Sequence, residues 1–529
     1  MLHDPRLRPI YVGSEIYRRS TYGPKHPLAI PRVTICTDLC RAMGWLPDEA
    51  FVTAPMADLA AVTRFHAPDY VAALARAEAT QTVSEDDRAR YRIGAEGNPV
   101  YPEIFRRPMT SAGGVMLSAA LTAQGGIVHC PGGGTHHGRP DRASGFCYLN
   151  DPVLGILDWL DQGLDRIVYL DIDAHHGDGV QDAFHDDPRV LTISVHEAGR
   201  WPFTGVVTDR AGGAARNLPV PRGFNDSEMA WLLDQAVLPL VAAHRPQAIF
   251  LQCGADALEE DPLARLSLSN NAHWSVVAAV RDLAPRLIVT GGGGYNPYTI
   301  GRCWAGVWAT LNDIPIPDRT TPEAEAVLRA ITYNRAAGRN PPEHWFTTIR
   351  DTPRPGAVRD DIKQLARSTV GAPCMTRRLL LALMLTTPLT TQAQTTAQPE
   401  LPKEKLSITT RDGKRHDFRV EMALDQVQQT VGLMFRTSVP ADGGMLFDWG
   451  VPRDSTMWMR NTVSSLDMLF VNADGTIRRI AEDTVPGSLA TIESRGPVRA
   501  TLELAAGTTK RLDIRVGDKV QQRIFGNVP

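Results

Sequence analysis

The segment Tyr169–Gly179 constrains the fold of this chain more than any other. It places three carboxylates and two imidazoles within eight residues, at the end of the apolar run Ile167–Leu170. The run predicts a buried strand, and side chains two apart on a strand share a face. Asp171, Asp173 and His175 are therefore expected to face one pocket, where so much like charge requires a cation. Carboxylates and imidazoles are ligands typical of zinc or a similar divalent metal.

The length and composition indicate a soluble protein of more than one domain. At 529 residues, the chain is long enough for two or three domains. A net charge of -3 does not favour general binding to nucleic acid or to a membrane surface. No apolar run is long enough to span a bilayer. The seven cysteines lack paired spacing, which indicates reduced thiols and a cytoplasmic location for the first domain. The composition predicts no oligomeric state.

Residues 1 to about 312 alternate short apolar runs with longer helical segments. This alternation predicts an α/β fold, with a parallel sheet covered by helices on both faces. In such sheets the ligand lies beyond the carboxyl ends of the strands. The polar clusters of the chain follow predicted strands, so we expect them to meet at that edge. The predicted strands are Gly126–His129, Ile167–Asp171, Val190–Val195, Ala248–Gln252 and Leu287–Thr290.

Four segments are expected to converge there. His136 and His137 follow a glycine-rich turn, which permits close backbone approach to a ligand. The second segment is the cluster that follows Ile167. The third segment contributes Asp256, one more acid that follows a strand. The fourth is the glycine run that begins at Gly291 and is followed by Tyr295, which supplies a phenol.

The first 350 residues resemble the histone deacetylase family of zinc amidohydrolases. The resemblance is specific because separate motifs agree in both order and spacing. It implies an arginase/deacetylase-like parallel sheet with helices on both faces, and a zinc deacetylase domain over residues 1–350. The motifs are Gly-Gly-Gly-Thr-His136-His137, Ser144–Asn150, Asp171-x-Asp173-x-His175-His176-Gly-Asp178-Gly, Gly254-Ala-Asp256 and Gly291-Gly-Gly-Gly-Tyr295.

Two further motifs are similar to those of a narrower group, the bacterial acetoin-utilisation deacetylases. They are His196-Glu-Ala-Gly-Arg200 and Gly23-Pro-Lys-His-Pro27. The family resemblance implies that the substrate is an acetylated protein or a small acetyl-amide.

The resemblance implies a metal site with three protein ligands, Asp173, His175 and Asp256. Three ligands leave an open position for water and substrate, as a catalytic zinc requires. Zinc is the metal expected, with ferrous iron as the alternative in the cell.

The resemblance also implies catalytic roles for five residues. His137 is similar to the general base and acid, with His136 as its electrostatic neighbour. Asp178 and Asp171 are similar to the carboxylates that orient His137 and His136 respectively. Tyr295 is similar to the donor that stabilises the developing oxyanion.

Other positions match residues of the family's substrate and ion sites. Gly145 and Phe146 resemble the lining of the acyl-lysine tunnel, and Trp201 is the candidate for the opposite wall. Arg32 resembles the arginine behind the pocket through which acetate leaves. The family also binds potassium beside the zinc, and the matching positions are Asp171, Asp173, His175 and Ser194.

Beyond residue 350 the pattern changes. Residues 351–374 are predicted to be a linker. In residues 375–400 a basic start, a short apolar stretch and a small-residue exit indicate a secretory signal peptide. A cytoplasmic enzyme followed by such a segment suggests the hypothesis that two adjacent reading frames have been joined as a fusion. Met375 would then open the second product.

Residues 401–529 are predicted to form a small, mainly β domain. Short alternating strands predict a hairpin over Ser407–Val420 and two more strands over Thr501–Val516. A structural pair of Arg436 with Asp467 is also expected. The segment resembles the exported DUF192 family of small bacterial domains, which would place it outside the cytoplasm if it were made separately. The motifs are Gly432–Arg436, Gly443–Phe447, Met457–Thr462, Leu466–Phe470 and Leu502–Gly507.

Three alternatives to an acetyl-lysine deacetylase remain open. An acetylpolyamine or another small amide is the nearest alternative substrate. A two-manganese ureohydrolase would need a second acid pair near Asp256, and only one acid lies in Gly254–Ala257. A non-catalytic binding module is the third alternative, although the metal ligands and the tyrosine are all present.

Overall fold

The computed structural model describes residues 8–333, 340–370, 397–424, 426–459, 461–488 and 492–528. Contacts divide the chain into two compact units, Met1–Leu381 and Ala382–Pro529. Most of the signal-peptide-like segment 375–400, and the end of the expected linker, lie outside the described residues. None of the helices in the described ranges is long and apolar enough to cross a membrane.

One sheet lies at the centre of the first unit. Its middle strands are buried along their whole length, as expected for a parallel sheet that is covered on both faces. The strands are β1 (Ile10–Gly13), β2 (Phe51–Thr53), β3 (Gly126–Cys130), β4 (Ile167–Asp171), β5 (Val190–Glu197), β6 (Ala215–Val220), β7 (Ala248–Gln252) and β8 (Arg286–Thr290).

Neighbouring strands of this sheet all run parallel, in the order β2-β1-β3-β8-β7-β4-β5-β6. The four strands β3, β8, β7 and β4 are adjacent although they are far apart in sequence. Their carboxyl ends therefore meet at one edge of the sheet, and the polar segments that follow them converge there. The predicted α/β class and all five predicted strands are confirmed, whereas β1, β2 and β6 were not predicted.

Helices cover both faces of the sheet. On β4, Val168 and Leu170 belong to one apolar cluster, whereas Ile167 and Tyr169 belong to another on the opposite face. The helices of the first unit are Ile16–Arg19, Arg32–Ala42, Leu59–Val62, Pro68–Thr80, Glu85–Tyr91, Arg106–Leu121, Asp151–Asp161, Asp178–Ala183, Asp226–Leu232, Leu238–His244, Asn270–Val280, Pro297–Leu311, Pro322–Arg329, His344–Thr347 and Asp360–Val370, with a π-helical turn at Leu233–Val237.

The helix Pro297–Leu311 begins directly after the glycine run. The side chain of Asn296 caps it by accepting a hydrogen bond from the Tyr298 N–H, at 3.2 Å. Pro297 suits the first turn, where its missing N–H is not needed. This helix start holds Tyr295 at the carboxyl edge of the sheet.

Residues 351–370, part of the segment expected to be a linker, belong to the first unit. The helix Asp360–Val370 buries Ile362 and Ala366. Just before it, the Arg359 guanidinium donates to the buried carboxylate of Glu228, with Nε 2.6 Å from Oε1. The domain limits expected from composition remain a prediction.

The second unit is mainly β, as predicted. Its large sheet has the order β14-β13-β16-β11-β10-β9-β17, and all its neighbours pair antiparallel except β10 with β11. The strands are β9 (Lys403–Thr409), β10 (Arg415–Ala423), β11 (Gly443–Arg453), β12 (Thr456–Met457), β13 (Leu466–Val471), β14 (Ile477–Ala481), β15 (Ile492–Glu493), β16 (Val498–Ala505) and β17 (Lys519–Gln521), with helices at Gln426–Val431 and Thr508–Leu512.

The predicted hairpin over Ser407–Val420 is present as β9 and β10. The prediction of two strands over Thr501–Val516 was wrong. Only β16 lies there, and it ends at Ala505; the helix Thr508–Leu512 follows after Gly507. The expected pair of Arg436 with Asp467 was also wrong. Asp467 accepts hydrogen bonds from the Thr509 N–H and hydroxyl, and Arg436 donates to Glu421.

Candidate metal centre and active site

Asp173, His175 and Asp256 meet at one point although 83 residues separate the first from the last. One ligand atom from each lies within 4.8 Å of the others, and they form the single such group of acid, histidine or cysteine side chains in the described ranges. His175 Nδ1 lies 2.9 Å from Asp256 Oδ2 and 3.2 Å from Asp173 Oδ1. Both aspartates are buried. The donor set fits a divalent metal, because two buried carboxylates this close require a cation between them.

Glycine is required where the backbone passes these aspartates. A Cβ at Gly254 would lie 2.0 Å from Asp173 Oδ2, and a Cβ at Gly293 would lie 2.0 Å from Asp256 Oδ2. The Gly293 N–H instead donates to Asp173 Oδ2 at 2.7 Å. The backbone of the glycine run therefore lies directly against the two carboxylates, which only glycine permits.

Two histidine–aspartate pairs stand beside this cluster. His136 Nδ1 lies 2.7 Å from Asp171 Oδ2, and His137 Nδ1 lies 2.7 Å from Asp178 Oδ1. All four side chains are buried, and the two imidazole rings are 3.9 Å apart. The Asp178 carboxylate also accepts a hydrogen bond from Arg139. Each imidazole is thus oriented through Nδ1, which leaves Nε2 for the cavity.

The two imidazoles differ in their ability to hold a proton. Burial, reinforced by the neighbouring charge of His136, lowers the pKa of His137 to about 3. Burial also opposes the charging of His136, but the carboxylates of Asp171 and Asp173 outweigh it and raise the pKa of His136 to about 9. His137 is therefore the better proton acceptor of the two, whereas the carboxylates beside His136 favour its charged form.

Tyr295 lines the same cavity as His137, Asp173 and His175. Its backbone N–H donates to Asp261 Oδ2 at 2.6 Å, which fixes the end of the glycine run. Burial, with the nearby charge of Asp256, raises the pKa of the Tyr295 phenol well above its usual range. The phenol therefore keeps its proton and acts as a hydrogen-bond donor.

Gly145, Phe146 and Trp201 lie beside the catalytic candidates His137 and Tyr295. The Phe146 ring lies 5.9 Å from that of Tyr295, edge to face, and the Trp201 ring lies 4.7 Å from that of His137. Gly145 has a φ of 54° and sits between Trp201 and His137, where a Cβ would come within 2.6 Å of both. Aromatic rings therefore stand against both His137 and Tyr295.

Ser194 lies behind the metal ligands. It is buried on β5 and stands beside Asp171 of β4 in the strand register. Its hydroxyl lies 2.9 Å from His196 Nδ1. In the described part of the chain, no donor reaches the main-chain carbonyl oxygens of Asp173 or His175.

Four residues of the site were assigned no role from the sequence. Gln252 donates to Asp173 Oδ2 at 3.0 Å, Asp261 holds Tyr295, and Arg139 binds Asp178. Arg107 lines the cavity from the helix Arg106–Leu121. Their importance depends on tertiary contacts, and only Gln252, as the last residue of a predicted strand, could have been expected near the site.

The site and the doubly covered parallel sheet define a metal-dependent amidohydrolase. Residues 26–311 match the histone deacetylase domain, which is more than half of the chain. The chain belongs to the histone deacetylase family, whose members are hydrolytic deacetylases. Residues 407–522 match DUF192, a family described as an uncharacterized ACR.

Curated relatives and solved structures agree with this placement. The acetoin utilization protein AcuC of Bacillus subtilis is 31% identical over 328 residues, which cover 59% of this chain and 84% of that protein. Histone deacetylase 9 of Arabidopsis thaliana is 37% identical over 307 residues, covering 56% of this chain and 71% of that protein. A crystal structure of a homolog from Aquifex aeolicus aligns with a TM-score of 0.66 and 31% identity, over 69% of this chain and 100% of that one.

The chain spans between 56% and 84% of the length of the curated relatives it matches. Several of those relatives therefore contain long segments that have no counterpart here.

Proposed function

We propose that this chain is a zinc-dependent deacetylase that hydrolyses acetyl-lysine amides of proteins. The observation that carries the proposal is the meeting of Asp173, His175 and Asp256 beside the His137–Asp178 pair and Tyr295. These groups supply a metal site, a proton carrier and an oxyanion donor in one cavity, which are the parts that amide hydrolysis requires.

Asp173, His175 and Asp256 would hold the metal. Two carboxylates and one imidazole are a hard-to-borderline donor set that suits zinc or ferrous iron, and three protein ligands are typical of a catalytic site. When bound, such an ion lowers the pKa of water to about 7 and polarises the amide carbonyl.

His137 would carry the proton. Because it is neutral, its imidazole can take a proton from the attacking water and later give it to the leaving amine. Asp178 holds the ring in one orientation and stabilises the imidazolium that forms. The positive charge of His136 stabilises the negative charge that develops on the acyl oxygen.

Tyr295 would stabilise the same oxygen by donating a hydrogen bond. Its high pKa keeps it in the donating form, and its buried position excludes competing water. A donor of this kind contributes about 3 kcal/mol to the transition state.

The mouth of the site supports acetyl-lysine as the substrate. Gly145, Phe146 and Trp201 would enclose an apolar, unbranched chain such as the four methylenes of lysine. Acetylated polyamines carry further ammonium groups, so turnover of acetylspermidine against an acetyl-lysine peptide separates these two substrates.

The structure also supports a potassium ion behind the active site. Main-chain oxygens of Asp171, Asp173 and His175 would bind it with Ser194, because the oxygens of Asp173 and His175 have no donor among the described residues. These oxygens would coordinate the potassium ion, and the ion would hold the loop that carries the metal ligands in one conformation.

The chain would consist of two separate functional parts. Residues 1–350 would form the cytoplasmic deacetylase, and residues 401–529 would be a separate DUF192 domain that is exported if made on its own. No role in catalysis is proposed for the second domain.

Turnover of an acetyl-lysine peptide by the full chain tests the proposed function. Activity should be lost with a chelator, restored by zinc or ferrous iron, and absent in His137→Ala. About one metal per chain would separate it from a two-manganese ureohydrolase. If the metal-loaded protein hydrolysed no acetyl-lysine or acetylpolyamine, a non-catalytic binding module would be the better interpretation.

A further inference from the structure

The glycine run that precedes Tyr295 depends on other segments for its position. Four consecutive glycines have no side chains that could pack, and glycine gives the backbone the most conformational freedom of any residue. The run is nevertheless buried along most of its length, where backbone N–H and C=O groups require partners. The partners of these backbone groups therefore decide where the phenol of Tyr295 stands.

Two side chains hold the glycine run itself. The Gly293 N–H donates to Asp173 Oδ2 at 2.7 Å. Nη1 of Arg32 donates to the carbonyl oxygens of Gly292 and Gly294, at 2.6 Å and 3.1 Å. These contacts fix the run, but none of them reaches the backbone of the tyrosine that follows it.

Both backbone polar groups of Tyr295 are held by side chains from other segments. Its N–H donates to Asp261 Oδ2 at 2.6 Å, and its carbonyl oxygen accepts a hydrogen bond from the Tyr333 hydroxyl at 2.8 Å. Asp261 follows β7 in the chain, whereas Tyr333 follows the helix Pro322–Arg329. Both side chains are buried, so a displaced Tyr295 would leave buried polar groups without partners.

Tyr333 belongs to a segment that packs against the start of the helix Pro297–Leu311. The Tyr298 hydroxyl, in the first turn of that helix, donates to the Ile331 carbonyl oxygen at 3.3 Å. The rings of Tyr298 and Tyr333 meet edge to face at 6.5 Å. The match to the histone deacetylase domain ends at residue 311, so this contact with the catalytic loop comes from chain beyond the matched region.

We propose that Tyr333 is a positioning residue of the deacetylase, which holds the backbone of Tyr295 so that the phenol meets the developing oxyanion. The inference rests on the proposed function, because Tyr295 serves as the oxyanion donor in that reaction. An oxyanion donor lowers the barrier only when it is in place before the charge develops. Tyr333 is not among the residues that line the cavity, so it acts through Tyr295.

The variant Tyr333→Phe tests the proposal, because it removes one oxygen atom and keeps the ring. In the full metal-loaded chain, kcat on an acetyl-lysine peptide should fall by about 5- to 100-fold, the cost of leaving a buried carbonyl unpaired. KM and the metal content should stay near their wild-type values, because the metal ligands are untouched. A wild-type kcat in this variant would overturn the proposal.

Tyr91→Phe is the matched control. The Tyr91 hydroxyl donates to Asp69 Oδ2, also at 2.8 Å, and this side chain is likewise buried but does not line the cavity. The control should lose some thermal stability and keep its kcat. An equal loss of kcat in both variants would attribute the effect at Tyr333 to general destabilisation and remove its positioning role.

A double-mutant cycle with Tyr295→Phe separates positioning from an independent effect. In the Tyr295→Phe chain, the hydroxyl that Tyr333 is proposed to place is already absent. Tyr333→Phe should therefore cause almost no further loss of kcat in that chain, since two residues that act as a unit are not additive. Losses that multiply would mean that Tyr333 acts by another route, and the proposal would fail.

Hydrogen exchange of the metal-free full chain gives a readout that does not depend on turnover. Peptides that cover residues 291–296 should exchange faster in Tyr333→Phe than in wild type, and at the wild-type rate in Tyr91→Phe. If wild type hydrolyses acetyl-lysine but neither exchange nor kcat changes in Tyr333→Phe, the proposed function holds and this inference fails. If exchange rises in the variant but wild type hydrolyses no acetyl-lysine peptide, Tyr333 holds the loop and the proposed function fails.

Discussion

His137 Nδ1 lies 2.7 Å from Asp178 Oδ1, and both side chains are buried. The carboxylate is fixed in turn by Arg139, so the imidazole has one orientation available to it. This pair links the histidine segment after β3 with the helix that follows β4, and it places a neutral imidazole beside the metal ligands.

The first prediction concerns this pair. Asp178→Asn should lower kcat on an acetyl-lysine peptide by about 10- to 100-fold, because the ring loses the carboxylate that orients it and stabilises its charged form. Steady-state kinetics measure the effect. Asp186→Asn is the matched control, because His185 and Asp186 form a similar pair at the surface, with Nδ1 2.6 Å from Oδ2. A variant at Asp178 with wild-type kcat would remove His137 from its proposed role.

The second prediction concerns the glycine wall of the metal site. Gly293→Ala should displace Asp256, since the new Cβ would stand 2.0 Å from its Oδ2. Metal affinity should fall by about 10- to 100-fold, a loss typical of disturbed support around a metal site. Metal content after dialysis against a competing chelator measures it.

Gly44→Ala provides the control for that experiment. Gly44 has a φ of 70°, so alanine is strained there, but no atom lies within 4 Å of the new Cβ. This variant should lose some stability and keep its metal. Equal metal loss in both variants would attribute the effect at Gly293 to general destabilisation.

The third prediction concerns pH and the second unit. Glu503 lies between Met445 and Met468 of the neighbouring strands, and burial raises its pKa from 4.5 to about 8. The stability contributed by its protonated form is complete below about pH 4.5 and is lost as the pH rises through about 8. Glu503→Gln should therefore stabilise the second unit at pH 8 by roughly 2–4 kcal/mol and change little at pH 4.

Hydrogen exchange of peptides from β11 and β16 measures this effect within the full chain. The control is Glu493→Gln at an exposed position, which should leave exchange unchanged at both pH values. Faster exchange in Glu503→Gln than in wild type at pH 8 would mean that the carboxylate stabilises the fold when charged.

The fourth prediction concerns the joined reading frames. An immunoblot of cells with an antibody to the first unit should show a product shorter than the full chain if Met375 opens a separate protein. A single band near 57.9 kDa would instead establish one polypeptide. Cell fractionation with an antibody to the second unit would locate that part independently.

Much of the fold followed from local pattern. The five apolar runs between helical segments were strands because a parallel sheet covered on both faces buries every residue of its middle strands. β1, β2 and β6 escaped prediction because they are short or, like β6, interrupted by polar residues and a proline. The error at Thr501–Val516 has a local cause, since β16 ends at Ala505 and Gly507, with a φ of 76°, precedes a helix.

A divalent metal site could be proposed from the amino-acid sequence alone. Asp-x-Asp-x-His after an apolar run forces like charges together, and electrostatics then demands a cation. Arg107 lines the same cavity as Arg32, and nothing in the sequence pointed to Arg107. The two residues meet there because the helices Arg32–Ala42 and Arg106–Leu121 both lie beside this cavity, a placement that packing between distant segments decides.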